Sequence, residues 1–396
     1  MRIGIYGGTF DPVHIGHISA ALAAMEEMKL DRLLLIPAAT PPHKQAGETG
    51  TGHRVAMLRL AVENLRRPDV EVSTVEIERG GKSYTADTVQ TVLAQYPGAE
   101  LFLLMGTDML QSLPDWSRPQ EILNSVTICA FGRNGTDSET SLHNIADAIR
   151  AQFPGARIHT FVNPNLVEVS STEVRAALAA GGGETLLDPA VYGYVLREGL
   201  YGTEADKKHL PLSLLRPVAL SLLNGKRVPH VLGTEETAAK LARLYGADEM
   251  LARRAALLHD CTKRLSREEH LALCEQYGIS LDEWELNGSK LLHARTGAAL
   301  ASTVFGERAE VVDAIRWHTT GKPDMTLLEK VIYLADYVEP NRNFEGVEEV
   351  RTLAWQDLDK AVMRGLAMTV AEIEAEDRPV HPDTKNALAY LKGTRL

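Results

Sequence analysis

Up to about residue 200 the sequence alternates between two textures, and beyond residue 209 the alternation stops. In the first stretch, short apolar runs such as Leu33-Leu34-Leu35-Ile36, Leu101-Phe102-Leu103-Leu104 and Val126-Thr127-Ile128-Cys129-Ala130 end in Pro or Gly punctuation. Helical patterns lie between them, over 18–28, 55–64 and 85–95. Continuous apolar runs separated by helices predict βαβ units and a parallel sheet covered on both faces. In the second stretch, apolar residues recur mostly at three- and four-residue steps over 235–245, 248–258, 267–277, 291–305, 310–317, 327–338 and 356–374. That spacing predicts an all-helical fold. A chain of 396 residues has room for two or three domains. The expectation is an α/β domain over 1–202, a short polar linker over 203–208 and an all-α domain over 209–396.

Charge narrows the chemistry. Acidic residues number 53 and basic residues 42, a formal net charge of −11. Such a chain has no global field to attract nucleic acid or an anionic membrane, so any phosphate must be held by local donors or metal ions. No apolar run approaches the roughly 18 residues of a membrane span. Met1-Arg2 leads straight into the strand-like Ile3-Gly4-Ile5-Tyr6, which is not a signal-peptide layout. Three cysteines, an odd number, cannot form a disulfide framework and suit the reducing cytosol. A cytoplasmic protein with neither nucleic-acid nor membrane partner is expected. Its oligomeric state, a homo-oligomer included, stays open.

The most informative string is Gly7-Gly8-Thr9-Phe10-Asp11-Pro12-Val13-His14-Ile15-Gly16-His17. A buried strand runs into two glycines that allow close backbone approach to a ligand, and a helix is expected to begin near residue 15. His14 and His17, three apart, share a face of the first helical turn, beside free amides that attract an anion. Two imidazoles there can donate hydrogen bonds to a transferring phosphoryl group. The turn lacks the Gly-x-Gly-x-x-Gly fingerprint, which argues against an NAD(P)-dependent oxidoreductase.

Further motifs follow. Lys44, after Pro41-Pro42-His43, is a loop cation able to close over a triphosphate. Ser83-Tyr84-Thr85 presents hydroxyls and amides at a helix start, and Gly106-Thr107-Asp108 puts a carboxylate at a strand end. Trp116 is either a ligand-facing ring or a packing anchor. Ser170-x-x-Glu173 is a capping box that leaves other first-turn amides free, with Ser171, Thr172 and Arg175 close by.

Together these motifs resemble the HxGH nucleotidylyltransferases, and within them the bacterial nicotinate-nucleotide adenylyltransferases. The resemblance implies a Rossmann-like domain that transfers AMP from ATP to nicotinate mononucleotide with Mg²⁺, giving deamido-NAD and pyrophosphate. It implies that His14 and His17 stabilise the transition state. It assigns ATP to Gly7, Gly8, Thr9, Phe10, His17, Lys44, Gly106, Asp108, Ser170, Ser171, Thr172 and Arg175, with Lys44 and Arg175 also catalytic. The nicotinate nucleotide falls to Ser83, Tyr84, Thr85 and Trp116. Similar enzymes use phosphopantetheine or glycerol phosphate, so a different phosphorylated acceptor is the alternative.

Seven of the 13 histidines lie after residue 208. His230, His259-Asp260, His293, His318 and Asp336 form a series in which His259-Asp260 and His318 fall at the ends of predicted helices. Imidazole and carboxylate together suit Fe, Mn, Zn or Ni. Neighbouring side chains on a helix diverge by about 100°, so His259 and Asp260 fit one ion poorly. Two ions about 3.5–4 Å apart with Asp260 between them remove that difficulty and suit phosphate-ester hydrolysis. Cys261 reads as a packing residue rather than a ligand.

This series, with Leu258-His259-Asp260-Cys261-Thr262-Lys263, Ile315-Arg316-Trp317-His318-Thr319-Thr320-Gly321 and the stretch from Leu334 to Arg342, resembles the HD-domain phosphohydrolases. The flanking residues resemble the branch that cleaves diadenosine tetraphosphate symmetrically to two ADP. The resemblance implies two divalent ions, iron or manganese, on His230, His259, Asp260, His293, His318 and Asp336. It implies phosphate contacts from Lys263 and Arg342, and catalytic roles for Asp260 and Lys263. The alternatives are another nucleotide substrate, or a module that only senses one.

Overall fold

Ile3, Gly4 and Ile5 lie near the middle of a six-stranded parallel sheet in the computed structural model of the chain, which describes residues 1–40, 49–133, 139–163, 166–204 and 206–393. Pro41, Pro42, His43 and Lys44 lie outside the described residues. The strands are β1 (Arg2–Gly8), β2 (Arg32–Pro37), β3 (Val70–Val72), β4 (Glu100–Gly106), β5 (Thr127–Arg133) and β6 (Arg157–Asn163). They run in the order β3-β2-β1-β4-β5-β6, and Ile5 sits opposite Leu34 on one side and Leu103 on the other.

Successive strand residues point to opposite faces. Leu33, Leu34, Leu35 and Ile36 are all fully buried, so both faces of the sheet are covered. On one face Ile3, Ile5, Leu103 and Ile128 pack with Val89 and Val92 of the Thr85–Gln95 helix and Ala146 and Ile149 of the Glu139–Gln152 helix. At Gly4 a Cβ would come within 2.5 Å of Leu30 Cδ1 and 2.9 Å of Leu33 Cδ1, so any side chain here would force those leucines to move. The strand order reverses between β1 and β4, and open α/β sheets bind ligands at that crevice, beyond the strands' carboxyl ends.

The chain divides into two compact units, Met1–Val195 with Gly199–Thr203, and Leu196–Glu198 with Glu204–Leu396. No strand occurs among the described residues of the second unit. Its centre is made of the helices Val228–Tyr245, Glu249–Leu258, Ser289–Thr303, Ala309–Trp317 and Leu327–Val338. Val231, Ala238 and Leu241 of the first, Ala252, Ala255 and Ala256 of the second, Ala314 and Ile315 of the fourth and Val331, Leu334 and Ala335 of the fifth are completely buried. The many alanines let these helices approach closely.

The second unit has helices beyond those expected, Glu283–Asn287, Val347–Ala354 and Pro382–Leu391 among them, and two others depart from simple propensity. The helix expected from residue 235 begins at Val228, because Pro229 falls in the first turn, where its missing N–H costs nothing. Leu212–Ser221 is helical although Pro217 lies inside it. Among the described residues no helix is long and apolar enough to cross a membrane. All three cysteines are free and buried.

Candidate active sites

In the first unit β1 ends at Gly8 and β4 at Gly106, and a cleft of about 1090 Å³ opens there. Gly7, Gly8, Thr9, Phe10, His14, His17, Ser83, Tyr84, Thr85, Gly106, Asp108, Trp116, Ser170, Ser171, Thr172 and Arg175 all line it. Lys44 falls outside the described residues.

His14 caps the Ile15–Glu27 helix, and its Nδ1 accepts from the His17 amide at 3.4 Å. His17 returns the bond, its Nδ1 accepting from the His14 amide at 3.3 Å. A capping box ordinarily pairs Ser or Thr with Glu or Gln; here two imidazoles fill both roles, ring centroids 3.6 Å apart. Because each Nδ1 accepts, the proton of each neutral ring sits on Nε2, a hydrogen-bond donor.

Gly16 explains the glycine between them. A Cβ there would lie 2.8 Å from the Val167 carbonyl oxygen and 3.1 Å from His14 Nδ1. Gly16→Ala is expected to cost about 1–3 kcal/mol in the first unit, as overpacking does, read as a lowered urea midpoint of its unfolding transition.

Side chains from distant positions brace the glycine turn. Arg54, 3% exposed, donates Nη1 to Thr9 O and Nη2 to Ala38 O, both at 2.7 Å. Arg175 donates Nη1 to Asp11 O at 2.7 Å and Nη2 to Thr172 Oγ1 at 3.2 Å. Tyr201 donates to Asp11 Oδ1 at 2.6 Å, and burial together with that bond pushes its phenol well above the usual range. Arg54, Asp11 and Tyr201 were not among the expected site residues. Asp11 stands in the glycine-turn string without an assigned role, and Arg54 shows only as an arginine set between apolar helix positions.

Elsewhere around the cleft, Ser170 and Glu173 form the reciprocal capping box. Ser83 Oγ accepts from the Ala39 amide at 2.9 Å. Trp116 is half-buried and donates Nε1 to Ser112 Oγ at 3.2 Å, while Asp108 stands exposed in the first turn of Thr107–Ser112.

In the second unit the series converges. His230 stands in the first turn of Val228–Tyr245, and His259 caps Glu249–Leu258 with Asp260 next to it. His293 lies in Ser289–Thr303, His318 caps Ala309–Trp317, and Asp336 is in the last turn of Leu327–Val338. Three overlapping triads, His230–His259–Asp260, His259–His318–Asp336 and Asp260–His293–His318, each keep their nitrogen and oxygen atoms within 4.8 Å of one another.

Nδ1 of His259 and of His318 each lie 2.6 Å from a carbonyl of their own helix, Ala256 O and Ile315 O, and His230 Nδ1 lies 3.1 Å from Glu339 Oε1. These bonds place the ring protons on Nδ1 and turn Nε2 to the centre. There His230 and His259 Nε2 are 3.3 Å apart, and His293 and His318 Nε2 3.1 Å. Burial, then the neighbouring His259 and His293, holds His318 well below the usual histidine range.

Asp260 divides the rings into two sets. Its Oδ2 is 3.4 Å from His259 Nε2 and 3.7 Å from His230, and its Oδ1 is 3.2 Å from His293 Nε2 and 3.9 Å from His318. Asp336 Oδ1 joins the first set, 3.0 Å from His230 Nε2. Oδ1 of Asp260 is buried with no hydrogen-bond partner among the described residues. A buried carboxylate oxygen left this way is costly unless a cation meets it. Imidazoles and carboxylate oxygens on both sides of Asp260 form a donor set suited to divalent ions.

Burial opposes ionisation of Asp260 and Asp336, but His259, His293 and Lys263 at the one and His230 and Arg342 at the other hold both well below the usual carboxylate range. Lys263 Nζ lies 3.7 Å from Asp260 Oδ1 and 2.9 Å from His293 Nε2, and Arg342 pairs with Asp336. Arg227, absent from the sequence expectations, donates Nε to Asp260 Oδ2 at 2.5 Å. Its signal was a basic pair, Lys226-Arg227, at a helix start, where the dipole disfavours cations. Burial, then Asp260, pushes the Cys261 thiol up to about 12, which suits packing rather than ligation. His270 stands apart, bonded to Thr296 Oγ1 at 2.9 Å.

Both halves match known families. Residues 5–177 match the cytidylyltransferase-like family and residues 227–341 the HD domain. Over 202 residues, 51% of the chain, the sequence is 38% identical to a probable nicotinate-nucleotide adenylyltransferase of Gemmatimonas aurantiaca, 92% of which is covered. Over 163 residues, 41% of the chain, it is 44% identical to a symmetrical bis(5'-nucleosyl)-tetraphosphatase of Halalkalibacterium halodurans, 87% of which is covered. The chain belongs to both families. A crystal structure of a "predicted HD superfamily hydrolase involved in NAD metabolism" from Clostridium acetobutylicum is 38% identical, covering 46% of this chain and 98% of that one at a TM-score of 0.45. The two curated relatives, each matched over most of its own length, make the protein a fusion of two enzymes. Its nicotinate-nucleotide adenylyltransferase-like unit carries the His14–His17 cleft, and its tetraphosphatase-like HD unit carries the buried His/Asp cluster.

Proposed function

We propose that this protein is a bifunctional cytoplasmic enzyme of adenine-nucleotide chemistry. Residues 1–202 transfer AMP from ATP to nicotinate mononucleotide. Residues 209–396, joined through a linker at 203–208, hydrolyse diadenosine tetraphosphate to two ADP. The observation that carries the reading is Asp260, whose two carboxylate oxygens face two separate histidine pairs. The paired imidazole cap at the cleft supports the first activity.

In the transferase, an oxygen of the acceptor's phosphate attacks the α-phosphorus of ATP in line. The bond from that phosphorus to the α–β bridging oxygen breaks, leaving deamido-NAD and pyrophosphate. The protein's part is positioning and charge neutralisation. His14 and His17 donate from Nε2 to the transferring group. Gly7, Gly8, Thr9 and Phe10 admit the phosphates, and the helix start at Ser170, Ser171 and Thr172 offers amides and hydroxyls. Arg175 holds that helix to the turn and faces the same anion, and Gly106 and Asp108 border the nucleotide. Lys44 is assigned to the triphosphate. Ser83, Tyr84, Thr85 and Trp116 receive the nicotinate ring. Mg²⁺ with the triphosphate supplies counter-charge.

In the hydrolase, His230, His259, Asp260 Oδ2 and Asp336 would hold one divalent ion and Asp260 Oδ1, His293 and His318 another, iron or manganese. Bound there, the ions supply the Lewis acidity that makes water a nucleophile at neutral pH. Water attacks an inner phosphorus and the bond to the central bridging oxygen breaks, so each half leaves as ADP. Arg227, Lys263 and Arg342 meet the phosphate charge.

The test is product identification. Purified full-length protein is incubated with ATP and each pyridine mononucleotide, then with diadenosine tetraphosphate and Fe²⁺ or Mn²⁺. Deamido-NAD with pyrophosphate, and ADP as sole nucleotide product, are expected. No adenylylated nicotinate nucleotide would refute the first activity. ATP plus AMP, or no cleavage, would refute the second.

A further inference from the structure

We infer that Glu339 is a positioning residue for His230, locking the ring so that Nε2 faces the cluster. The inference rests on the proposed metal centre. Glu339 is 1% exposed and lies just beyond the Leu327–Val338 helix that carries Asp336. Its Oε1 meets His230 Nδ1 at 3.1 Å. Its Oε2 accepts from both the backbone N and the side-chain Nδ2 of Asn341, each at 2.8 Å. Asn341 Nδ2 also reaches Pro229 O at 3.1 Å, beside His230 itself.

The opposing helix is cut to fit. Gly233, three residues after His230, faces this carboxylate, and a Cβ there would sit 2.3 Å from Glu339 Oε2 and 3.1 Å from Asn341 Nδ2. Glycine costs about 1 kcal/mol in a helix relative to alanine, and here it clears the space that the carboxylate fills. A carboxylate is required as well as a filler, because donors face it from both sides. An amide has one oxygen. If that oxygen serves Asn341, the NH₂ confronts His230 Nδ1, moves the ring proton to Nε2 and removes the lone pair from the centre.

Glu339→Gln, nearly isosteric, separates this role from packing. Full-length protein stripped with chelator is titrated calorimetrically with Mn²⁺, alongside Gly233→Ala and Asp260→Ala. Loss of an outer-shell partner typically costs 10–100-fold in metal affinity. The expected result is a fall of about 10-fold or more for both Glu339→Gln and Gly233→Ala, with circular dichroism of the metal-free proteins unchanged for Glu339→Gln, and loss of binding for Asp260→Ala. A smaller fall in Glu339→Gln, while Asp260→Ala loses binding, overturns the positioning role and leaves the metal centre standing. Wild-type binding by Asp260→Ala overturns the metal centre and this inference with it.

Discussion

Asp260→Ala is expected to abolish cleavage of diadenosine tetraphosphate while adenylyl transfer continues at the wild-type rate. Among the described residues Asp260 is the one carboxylate that faces all four clustered histidines, 3.2–3.9 Å from His230, His259, His293 and His318. Removing it takes a ligand from each proposed ion at once and leaves Arg227 and Lys263 without their anion. A two-ion site contributes several kcal/mol to the transition state, so the loss is expected to be about 10³-fold or more. Parallel assays on one preparation check it. Loss of both activities in a still-folded protein would contradict two independent sites.

His14→Ala is expected to have the mirror effect, a fall in adenylyl transfer of about 10²–10³-fold, the usual consequence of removing one transition-state donor, with the hydrolase untouched. His14 is also a helix cap, worth about 1 kcal/mol, so a control is needed. His14→Asn restores a favoured capping residue without an imidazole. It should unfold at the wild-type midpoint and remain as slow as His14→Ala. Recovery of the rate with Asn would mean that His14 serves the helix rather than the phosphoryl group.

Both domains were legible because their signals are local. Apolar runs and helical spacing depend on neighbours in sequence, and so does the Gly-Gly turn leading to two histidines three apart. The cluster was legible as an ordered series because His259, Asp260 and His318 sit where apolar patterns end. What escaped notice is what braces these groups from afar. Tyr201 reaches Asp11 across 190 positions, Glu339 reaches His230 across 109, and Arg54 reaches Thr9 across 45. No periodicity links such pairs. The early start of the His230 helix was hidden for a related reason. Pro229 and Gly233 look like helix breakers in isolation, yet one falls in the tolerant first turn and the other leaves room for Glu339, just past the end of a different helix.

His259 and His318 each bond back to the carbonyl three residues earlier in the helix they terminate. Fraying of either final turn would therefore displace a ligand of the proposed ions, and a cation bound there would tie the two helix ends together. Saturation and local opening become one equilibrium: at a hundredfold excess over Kd the closed form gains about 2.7 kcal/mol. Amide hydrogen exchange at 256–260 and 315–319 should slow accordingly.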